Sequence, residues 1–311
     1  MKVCFIGLGS IGTRHCLNLQ SICKEYGIKP EIHAVRSSRK PLGEQLKGLD
    51  IKELESYEDM DRSYDAIFVT NPTSLHYKTL MMAGSKSKHF YIEKPVFESR
   101  EEDIERLPIA DDALCYVAAP LRYTAVIREA RKFVKNHRIY SVRAICSSYL
   151  PDWRPGQDYR KTYSANKDMG GGVSIDLIHE WDYLTMLFGM PEKIYNLIGH
   201  YSDLEINSDD LAVYIAEYKD HLIELHLDYF GRKTRRELEV YTAEGCWIFD
   251  ITNSCIMSPD GSVQGFEEGT NEKYIREMQY FLDLVTGKNK VSSNSIEHAC
   301  RVLRIAKGEF L

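Results

Sequence analysis

Apolar runs and amphipathic segments alternate through the first 122 residues of the chain. The opening segment KVCFIGLGSIGTRHCLNLQSI shows the repeating unit: a short apolar run, a glycine-rich turn and a helical pattern. Short apolar runs bounded by turn residues are typical of strands that are buried on both faces of a sheet. Strands that alternate with helices predict a doubly wound parallel sheet. The predicted strands are residues 3–6, 31–38, 66–70, 89–92 and a run that begins at residue 113.

From about residue 123 the pattern changes. A helical segment at 123–137 precedes a series of segments in which apolar and polar residues alternate. Glycine, aspartate and asparagine separate these segments at short intervals, which predicts hairpins of a large, mostly antiparallel sheet. Helical stretches at 271–286 and 295–307 follow. We therefore expect an α/β protein of two domains, with the parallel sheet in residues 1–122 and an α+β fold in residues 123–311.

Charge and cysteine content argue against several classes of partner. The 311 residues carry 40 basic and 46 acidic side chains, a net charge of −6, which does not suit a general nucleic-acid-binding protein. No apolar run approaches the roughly 20 residues that span a bilayer, and the N-terminal segment lacks the pattern of a signal peptide. The eight cysteines are scattered without a C-x-x-C pair. We therefore expect free thiols, no metal site, no membrane partner and a cytoplasmic location.

Gly7, Gly9 and Gly12 follow the first predicted strand with the spacing G-x-G-x-x-G. The first glycine permits a tight turn, the second lets a pyrophosphate approach the backbone, and the third lets helix and strand pack closely. The N-terminus of the following helix attracts phosphate. The pattern predicts a dinucleotide-binding Rossmann domain in which Ser10 and Ile11 complete the loop. The alternative is a tight strand–helix turn without a ligand.

The end of the second predicted strand bears on the choice of coenzyme. An NAD enzyme usually places an acidic residue there to hold the ribose 2′-hydroxyl. This chain instead has the stretch Arg36, Ser37, Ser38, Arg39 and Lys40. Cations and hydroxyl groups suit a 2′-phosphate, so we expect NADP in preference to NAD. The alternative is a solvated basic loop.

Two more candidate segments lie where predicted parallel strands end, the edge at which ligands bind in such sheets. One follows the strand at 66–70, and the other, Glu93-Lys94-Pro95, follows the strand at 89–92. Proline favours an extended backbone at the preceding residue, so Lys94 is expected to point into the crevice; a surface turn is the alternative. The expected coenzyme contacts at this edge are Asn71, Pro72, His76, Glu93 and Lys94.

Three motifs follow one another along the chain: the glycine loop, Glu93-Lys94-Pro95, and Gly170-Gly171-Gly172 leading to Asp176-x-x-His179. In this order and at these separations, they resemble the motifs of the glucose–fructose oxidoreductase/inositol dehydrogenase (Gfo/Idh/MocA) family. The resemblance implies a Rossmann domain, a second domain with a large, mostly antiparallel sheet, and hydride transfer between nicotinamide and a sugar or cyclitol carbon. Sheets of this family commonly pair subunits, which implies a homodimer or homotetramer.

Asp176 and His179 are three residues apart, so a single helix would present both on one face. A histidine can take a proton from a hydroxyl group as hydride leaves the carbon, while a carboxylate orients the imidazole. Lys94 can donate a hydrogen bond to the developing alkoxide. The glycines before the helix would leave room for a coenzyme or sugar beside the backbone. Lys94, Asp176 and His179 are therefore the candidate catalytic residues.

The spacing of the acidic residue departs from the commoner family pattern. Many family members place the aspartate four residues before the histidine, a position that Ile175 occupies here. Glu180 or Asp182 is therefore an alternative partner for His179. In a purely structural alternative, Asp176 caps the helix and His179 packs in the core.

A long polar segment, LPDWRPGQDYRKTYSANKDMGGG, ends in the three glycines. Aromatic side chains stack on sugar rings, amides and hydroxyls bind their hydroxyl groups, and basic residues suit a carboxylate or phosphate. The composition of the segment favours a sugar, a sugar acid or a nucleotide sugar as the substrate. The segment also resembles that of family members in surface-polysaccharide biosynthesis. The alternative is a solvated loop. The candidate substrate contacts are Lys94, Arg122, Tyr123, Trp153, Arg154, Tyr159, Arg160, Tyr163, Asp176 and His179.

Three functions remain in view. The leading one is an NAD(P)-dependent sugar dehydrogenase or ketosugar reductase. A second keeps NAD tightly bound and uses transient oxidation for redox-neutral elimination or hydrolysis. A third is a sugar or dinucleotide sensor without catalysis. The presence of both Lys94 and His179 favours an enzyme, since a sensor needs neither proton transfer nor an alkoxide donor.

Overall fold

The contacts within the chain divide it into two compact units. The computed structural model describes residues 1–37, 41–98 and 102–309. The first unit contains Met1–Pro120 and Asn271–Cys300, and the second contains Leu121–Thr270 and the residues from Arg301 onwards. Residues 271–300, which the sequence analysis assigned to the second domain, therefore pack with the first.

The helices and strands alternate in the first unit and segregate in the second. The helices of the described residues are α1 (Ser10–Glu25), α2 (His76–Ala83), α3 (Ala125–Asn136), α4 (Val173–Asp176), α5 (His179–Phe188), α6 (Glu272–Val285) and α7 (Ile296–Ala306). The strands are β1 (Lys2–Ile6), β2 (Glu31–Val35), β3 (Ile51–Leu54), β4 (Ala66–Val69), β5 (His89–Ile92), β6 (Leu114–Val117), β7 (Ser141–Tyr149), β8 (Lys193–Gly199), β9 (Leu211–Glu217), β10 (Leu222–Asp228), β11 (Phe230–Thr242), β12 (Gly245–Asp250), β13 (Cys255–Met257) and β14 (Val263–Gly265).

The first unit contains a parallel sheet with the strand order β3-β2-β1-β4-β5-β6. The direction of strand order reverses between β1 and β4, which opens a ligand-binding crevice at the carboxyl ends of the strands. The expected doubly wound sheet is confirmed. The edge strand β3, whose middle residues are Lys52 and Glu53, was not expected from the sequence. Charged residues protect an edge strand from pairing with other chains, but they also hide its apolar pattern.

Aromatic rings form the centre of the first unit. Phe5 of β1 stacks on Phe68 of β4 with ring centroids 4.4 Å apart. Phe281 of α6 packs edge-on against Phe68 at 5.3 Å, and all three side chains are buried. Burial of one such side chain stabilises the fold by about 1.5–3 kcal/mol. The apolar face of α6 therefore explains why a helix so late in the sequence belongs to the first unit.

The second unit contains a sheet with the strand order β14-β13-β12-β11-β7-β10-β9-β8. Only β7 and β10 pair in parallel; the other neighbours in the described sheet are antiparallel. The expected large, mostly antiparallel sheet is confirmed. Side chains alternate between its faces, so that Val142, Ala144 and Cys146 of β7 are buried while Arg143 and Ile145 are partly or fully exposed.

The helices of the second unit cover the buried face of this sheet. Trp181 of α5 meets Tyr214 of β9 edge-on at 5.3 Å, and both side chains are buried. Thr124 caps α3, because its Oγ1 accepts a hydrogen bond from the backbone of Ile127 at 3.4 Å.

Among the described residues, no helix combines the length and apolar character needed to cross a membrane.

Candidate functional site

The three glycines of the turn between β1 and α1 have different structural roles. Gly7 has a positive φ of +95°, which other residues rarely adopt. A Cβ at Gly12 would collide with the carbonyl oxygen of Gly7, so this glycine lets helix and strand approach each other. A Cβ at Gly9 would have no atom within 4 Å, which leaves open space on that side of the backbone. The loop thus has the shape that the sequence pattern predicts for a pyrophosphate site.

The N-terminus of α1 is suited to an anion. Ser10 and Ile11 begin the helix, no side chain caps it, and its first turn contains no acidic residue. Unsatisfied N–H groups and the helix dipole give such an end a partial positive charge. The residues present therefore fit the phosphates of a dinucleotide.

Two residues of the basic stretch expected to bind NADP, Arg36 and Ser37, lie within the described part of the chain at the end of β2. Arg36 forms an ion pair with Glu53 of β3, the strand that the sequence analysis missed. Glu53 thus offsets part of the positive charge of Arg36. Ser37 follows directly, whereas Ser38, Arg39 and Lys40 lie outside the described residues.

His76 supports two of the loops at the carboxyl edge of the sheet. Its buried ring places Nε2 3.0 Å from the carbonyl oxygen of Asn71 and Nδ1 3.1 Å from that of Val96. Burial lowers the pKa of His76. Pro72 leads into the turn before α2, and the Asn71 amide donates to Thr79 Oγ1 at 2.8 Å. Of the expected coenzyme contacts here, His76 therefore holds the loops rather than lying open to solvent.

The segment Glu93-Lys94-Pro95 follows β5 directly. Glu93 Oε1 lies 2.5 Å from Nε2 of His15, a fully buried residue of α1 that sequence reasoning missed. Glu93 Oε2 accepts a hydrogen bond from the backbone N–H of Lys94 at 3.2 Å, and the Lys94–Pro95 peptide is cis. The available signal for His15 was its place on the buried face of α1, in helical register with Leu19 and Ile22.

The glycines at 170–172 fit close packing rather than an open space. A Cβ at Gly171 would collide with the backbone of Tyr163, and a Cβ at Gly172 would collide with the side chain of Asp209. Gly172 also has a φ of +139°. Asp209 Oδ2 accepts from the backbone of Ser174 at 2.9 Å and so caps α4. The expectation that these glycines leave room for a ligand was wrong at Gly171 and Gly172, because the chain itself fills that room.

Asp176 and His179 lie on two successive helices, not on one. Asp176 is the last residue of α4, and His179 is the first residue of α5. Between them, Ile178 donates to the carbonyl of Ile175 at 3.2 Å, a shorter-range bond that tightens the turn. The predicted single helix was therefore wrong. Asp176 Oδ2 accepts a hydrogen bond of 2.6 Å from the hydroxyl group of the buried Tyr229.

Asp182 and Glu180, the alternative partners expected for His179, each form an ion pair with an arginine. Asp182 binds Arg122 through both carboxylate oxygens, at 2.7 and 2.8 Å. Arg122, an expected substrate contact, is only 5% exposed. Glu180 is fully buried and lies 2.9 Å from Nε of Arg236 on β11. These ion pairs anchor α5.

The candidate substrate segment is held in a series of short turns. Trp153 is 37% exposed and meets the ring of Tyr229 edge-on at 5.2 Å. Arg160 pairs with Asp158 at 2.8 Å and with Glu205 at 3.0 Å, so its charge is offset. The remaining candidates divide by exposure: Tyr123, Tyr159 and Tyr163 are partly buried, and Arg154 is exposed.

The Tyr163 hydroxyl group donates to the carbonyl oxygen of Gly170 at 2.7 Å. Ser208 Oγ donates to the carbonyl oxygen of Ser164 at 2.7 Å, and the backbone of Asn207 donates to Ala165 at 3.1 Å. These bonds join the segment to the chain before β9. The segment is therefore fixed by hydrogen bonds, although residues 152–157 are exposed to solvent.

Two family models and several known proteins match this chain. Residues 1–118 match the model of an oxidoreductase family with an NAD-binding Rossmann fold, and residues 127–248 match the GFO/IDH/MocA C-terminal domain. The myo-inositol 2-dehydrogenase of Thermotoga maritima is 24% identical over 306 residues, which cover 91% of this chain and 87% of that protein.

Solved structures share the fold over nearly the whole chain. A levoglucosan dehydrogenase in complex with NADH superposes with a TM-score of 0.83 at 16% identity, covering 99% of this chain and 95% of that one. The UDP-N-acetylglucosamine 3-dehydrogenase of Acidithiobacillus ferrooxidans superposes with a TM-score of 0.75 at 18% identity, covering 99% and 96%. At these identities the likeness establishes the fold of the chain.

Proposed function

The chain belongs to the GFO/IDH/MocA family of oxidoreductases, and we propose that it transfers a hydride between a nicotinamide dinucleotide and the CH–OH carbon of a sugar, a sugar acid or a nucleotide sugar. The observation that carries the proposal is the open side of Gly9 at the uncapped N-terminus of α1. A turn that needed glycine only for packing would not require a glycine at that position.

Residues of the first unit would hold the coenzyme. Gly7, Gly9 and the first turn of α1 would bind the pyrophosphate through backbone N–H groups. When bound, a nicotinamide coenzyme supplies the hydride exchange with the substrate carbon. Arg36 and Ser37 support NADP, because a guanidinium and a hydroxyl group can bind a 2′-phosphate. Glu53 beside Arg36 makes NAD the alternative, since a carboxylate can hold a ribose hydroxyl instead.

Three side chains would carry the proton chemistry. In oxidation, His179 would accept the proton of the substrate hydroxyl group as the C–H bond gives up its hydride; in reduction it would return that proton. Lys94 would donate a hydrogen bond to the same oxygen and stabilise its negative charge. Asp176 would support the imidazolium form of His179, and Tyr229 fixes its carboxylate at 2.6 Å.

The substrate segment supports a polar, ring-shaped substrate. Trp153 presents an exposed ring, and Tyr159 and Tyr163 lie in the same segment. The relatives named above act on an inositol, an anhydrosugar and a nucleotide sugar. Because Asp158 and Glu205 offset the charge of Arg160, the cation for an acidic group would be Arg154 instead.

Coenzyme titration tests the first step of the proposal. Nicotinamide fluorescence would be followed as NADPH or NADH is added to the purified protein, with Arg36→Ala and Glu53→Gln as paired variants. Tighter binding of NADPH, lost in Arg36→Ala, supports NADP. Tighter binding of NADH, lost in Glu53→Gln, assigns NAD and keeps hydride transfer. Absence of binding, in protein that carries no nicotinamide from purification, would overturn the proposal.

Replacement of the proposed base tests the second step. On a panel of inositols, neutral sugars, uronic acids and UDP-sugars, His179→Ala should lower kcat by roughly 10²–10⁴-fold, the usual contribution of a general base. The coenzyme Kd should stay unchanged. His221→Ala, in the β9–β10 turn, is the control and should keep full activity. A parallel loss of coenzyme binding in His179→Ala would show that this histidine is structural.

A further inference from the structure

A buried histidine joins the helix of the glycine loop to the segment that carries Lys94. His15 lies three residues after Gly12 on α1, and its side chain is fully buried. Its Nε2 lies 2.5 Å from Glu93 Oε1. Because a carboxylate only accepts hydrogen bonds, Nε2 carries the hydrogen and donates it. Nδ1 of the same ring is buried and has no hydrogen-bond partner among the described residues.

Glu93 uses its second oxygen on the backbone of Lys94. Oε2 accepts from the Lys94 N–H at 3.2 Å, and the Glu93 N–H donates to Val69 of β4 at 2.9 Å. The carboxylate is therefore fixed from three sides: by its own strand end, by His15 and by the residue that it supports. Burial by itself raises the pKa of Glu93, but the hydrogen bond from His15 and the nearby Lys94 lower it below its usual value.

Aromatic rings surround His15, whose side chain is fully buried, while the Glu93 side chain keeps 13% of its surface exposed. The ring of Tyr91 lies 4.7 Å from that of His15, and the ring of Tyr274 lies 6.2 Å away. Such a site screens charges weakly, so one ion pair has a large effect on its neighbours. The titratable and charged groups that face His15 or Glu93 are His76, Tyr91, Lys94, Tyr274 and Glu277. Beyond them, Arg14 lies over the ring of Tyr274 and Tyr116 donates to Glu277.

We propose that His15 is a positioning residue for Lys94: it holds the Glu93 carboxylate against the Lys94 backbone and so fixes the direction and the electrostatic surroundings of the lysine. The proposal rests on the proposed role of Lys94 in hydride transfer. A residue of α1, the helix proposed to bind the coenzyme, would thus help to position the lysine that binds the reacting oxygen. A change in α1 is thereby transmitted to Lys94 through a single side chain.

Matched variants separate positioning from simple stability. His15→Leu removes the donor, whereas His15→Gln keeps an N–H that can reach a carboxylate. His33→Leu is the control, because His33 is also buried in the first unit and its Nε2 lies 3.0 Å from Glu31. His33 lies on β2 and does not contact the Glu93–Lys94 segment in any of its described hydrogen bonds.

Titration of Glu93 is the readout that does not need a substrate. In the coenzyme-free protein labelled with ¹³C at glutamate carboxyls, the Glu93 signal is assigned by its absence from Glu93→Gln. His15→Leu should raise the titration midpoint of Glu93 by at least about one pH unit, a tenfold change in proton affinity. His15→Gln and His33→Leu should shift it by less than about half of that. An unchanged midpoint in His15→Leu overturns the proposal, whatever the enzyme activity is.

Steady-state kinetics give the second readout. His15→Leu should lower kcat at neutral pH by about tenfold or more and move the acid limb of the pH profile upwards, with the coenzyme Kd changed less than about threefold. His15→Gln should recover most of the activity. Equal losses in His15→Leu, His15→Gln and His33→Leu would instead indicate a structural role and contradict the proposal.

A double-mutant cycle covers the case in which His15→Leu does not fold. Glu93→Gln keeps the shape of the side chain and should lower kcat by a similar factor. If the two residues act as one unit, Glu93→Gln combined with His15→Ala should lose no more than Glu93→Gln alone, although His15→Ala by itself lowers kcat. Additive losses would contradict the proposal. If the wild type oxidises no sugar at all, the proposed function fails, while the Glu93 titration still decides whether His15 controls this carboxylate.

Discussion

Glu277 of α6 links the stability of the first unit to pH through one carboxyl group. It is fully buried, and it accepts hydrogen bonds from the Tyr116 hydroxyl group at 2.9 Å and from the Ala119 backbone at 2.5 Å. Burial raises its pKa from 4.5 to about 7, with a further increase from Glu93. The folded protein therefore keeps this proton at pH values where the unfolded chain has released it.

This difference predicts a loss of stability on the alkaline side. The contribution of Glu277 is complete below pH 4.5, the unfolded value, and is lost as the pH rises towards about 7. The loss amounts to at most about 3 kcal/mol, since one pKa unit corresponds to about 1.4 kcal/mol. Glu277→Gln should remove this slope, because a glutamine oxygen can accept both bonds without becoming charged.

The measurement is urea denaturation followed by circular dichroism at pH 5 and at pH 8. The difference in the free energy of unfolding between the two pH values should be smaller in Glu277→Gln than in the wild type. Glu25→Gln, at the exposed end of α1, is the control and should behave as the wild type does. An unchanged pH dependence in Glu277→Gln would show that the buried carboxyl is ionised throughout this range.

At the level of elements, the β1–α1 turn predicts opposite effects for two similar substitutions. Gly12→Ala would place a Cβ against the Gly7 carbonyl oxygen, so it should destabilise the first unit by about 1–3 kcal/mol, the usual effect of overpacking. Gly9→Ala meets no protein atom within 4 Å and should leave the stability nearly unchanged. It should weaken coenzyme binding, because its methyl group would take the space of the pyrophosphate.

Thermal unfolding and nicotinamide fluorescence test this pair, with each variant as the control for the other. The expected result is a lower Tm for Gly12→Ala and a higher coenzyme Kd for Gly9→Ala. A Gly9→Ala variant that binds NADPH and NADH as tightly as the wild type would contradict the assignment of the open side of this loop to the coenzyme.

The elements that were predictable from the sequence are those with strong local patterns. The glycine spacing places the β1–α1 turn, and the helices expected at 271–286 and 295–307 begin and end within one residue of α6 and α7. β3 was missed because Lys52 and Glu53 interrupt its apolar pattern. The place of α6 in the first unit was missed for another reason: Phe281 packs on Phe68. Contacts between such distant positions leave no mark in local periodicity.

The same limit applies to the candidate site. The sequence identifies Glu93, Lys94, Asp176 and His179 as candidates, because motifs mark their positions. It does not identify their partners. His15 reaches Glu93 and Tyr229 reaches Asp176 from other elements, and nothing in the spacing of the chain specifies those pairings. The same is true of Glu53, which pairs with Arg36. The anchoring of α5 also depends on distant contacts, since Arg122 and Arg236 pair with its acidic residues Asp182 and Glu180.

At the level of the whole molecule, one face of the second sheet carries a row of side chains that is apolar in one part and charged in another. Tyr195, Ile215, Glu224, Arg143 and Glu239 are register partners across β8, β9, β10, β7 and β11. The row is apolar at the β8 end, where Tyr195 is 56% exposed and Ile215 is 45% exposed, and charged in the middle. Arg143 pairs with Glu224 at 3.2 Å and with Glu239 at 3.8 Å within the chain, so the β8 end is the part of the row that offers exposed apolar surface.

We therefore propose that a second copy of the chain covers this face, in a homodimer or a homotetramer. The face contains a groove of about 450 Å³ lined by residues that include Arg143, Val213, Glu224 and His226. Apolar side chains that a monomer leaves exposed in one patch commonly mark such an interface.

A charge placed in the apolar part of this row should separate the subunits. Ile215→Arg would bury an unpaired cation in the interface, which costs several kcal/mol and should convert the oligomer to monomers at micromolar concentration. Analytical ultracentrifugation gives the mass directly, and circular dichroism shows that the variant is folded. Val291→Arg is the matched control, because Val291 is 78% exposed and belongs to the first unit, not to the sheet that carries the row. If Ile215→Arg keeps the mass of the wild-type oligomer, the subunits meet through another surface; if the wild type is already a monomer, the row serves no interface between copies.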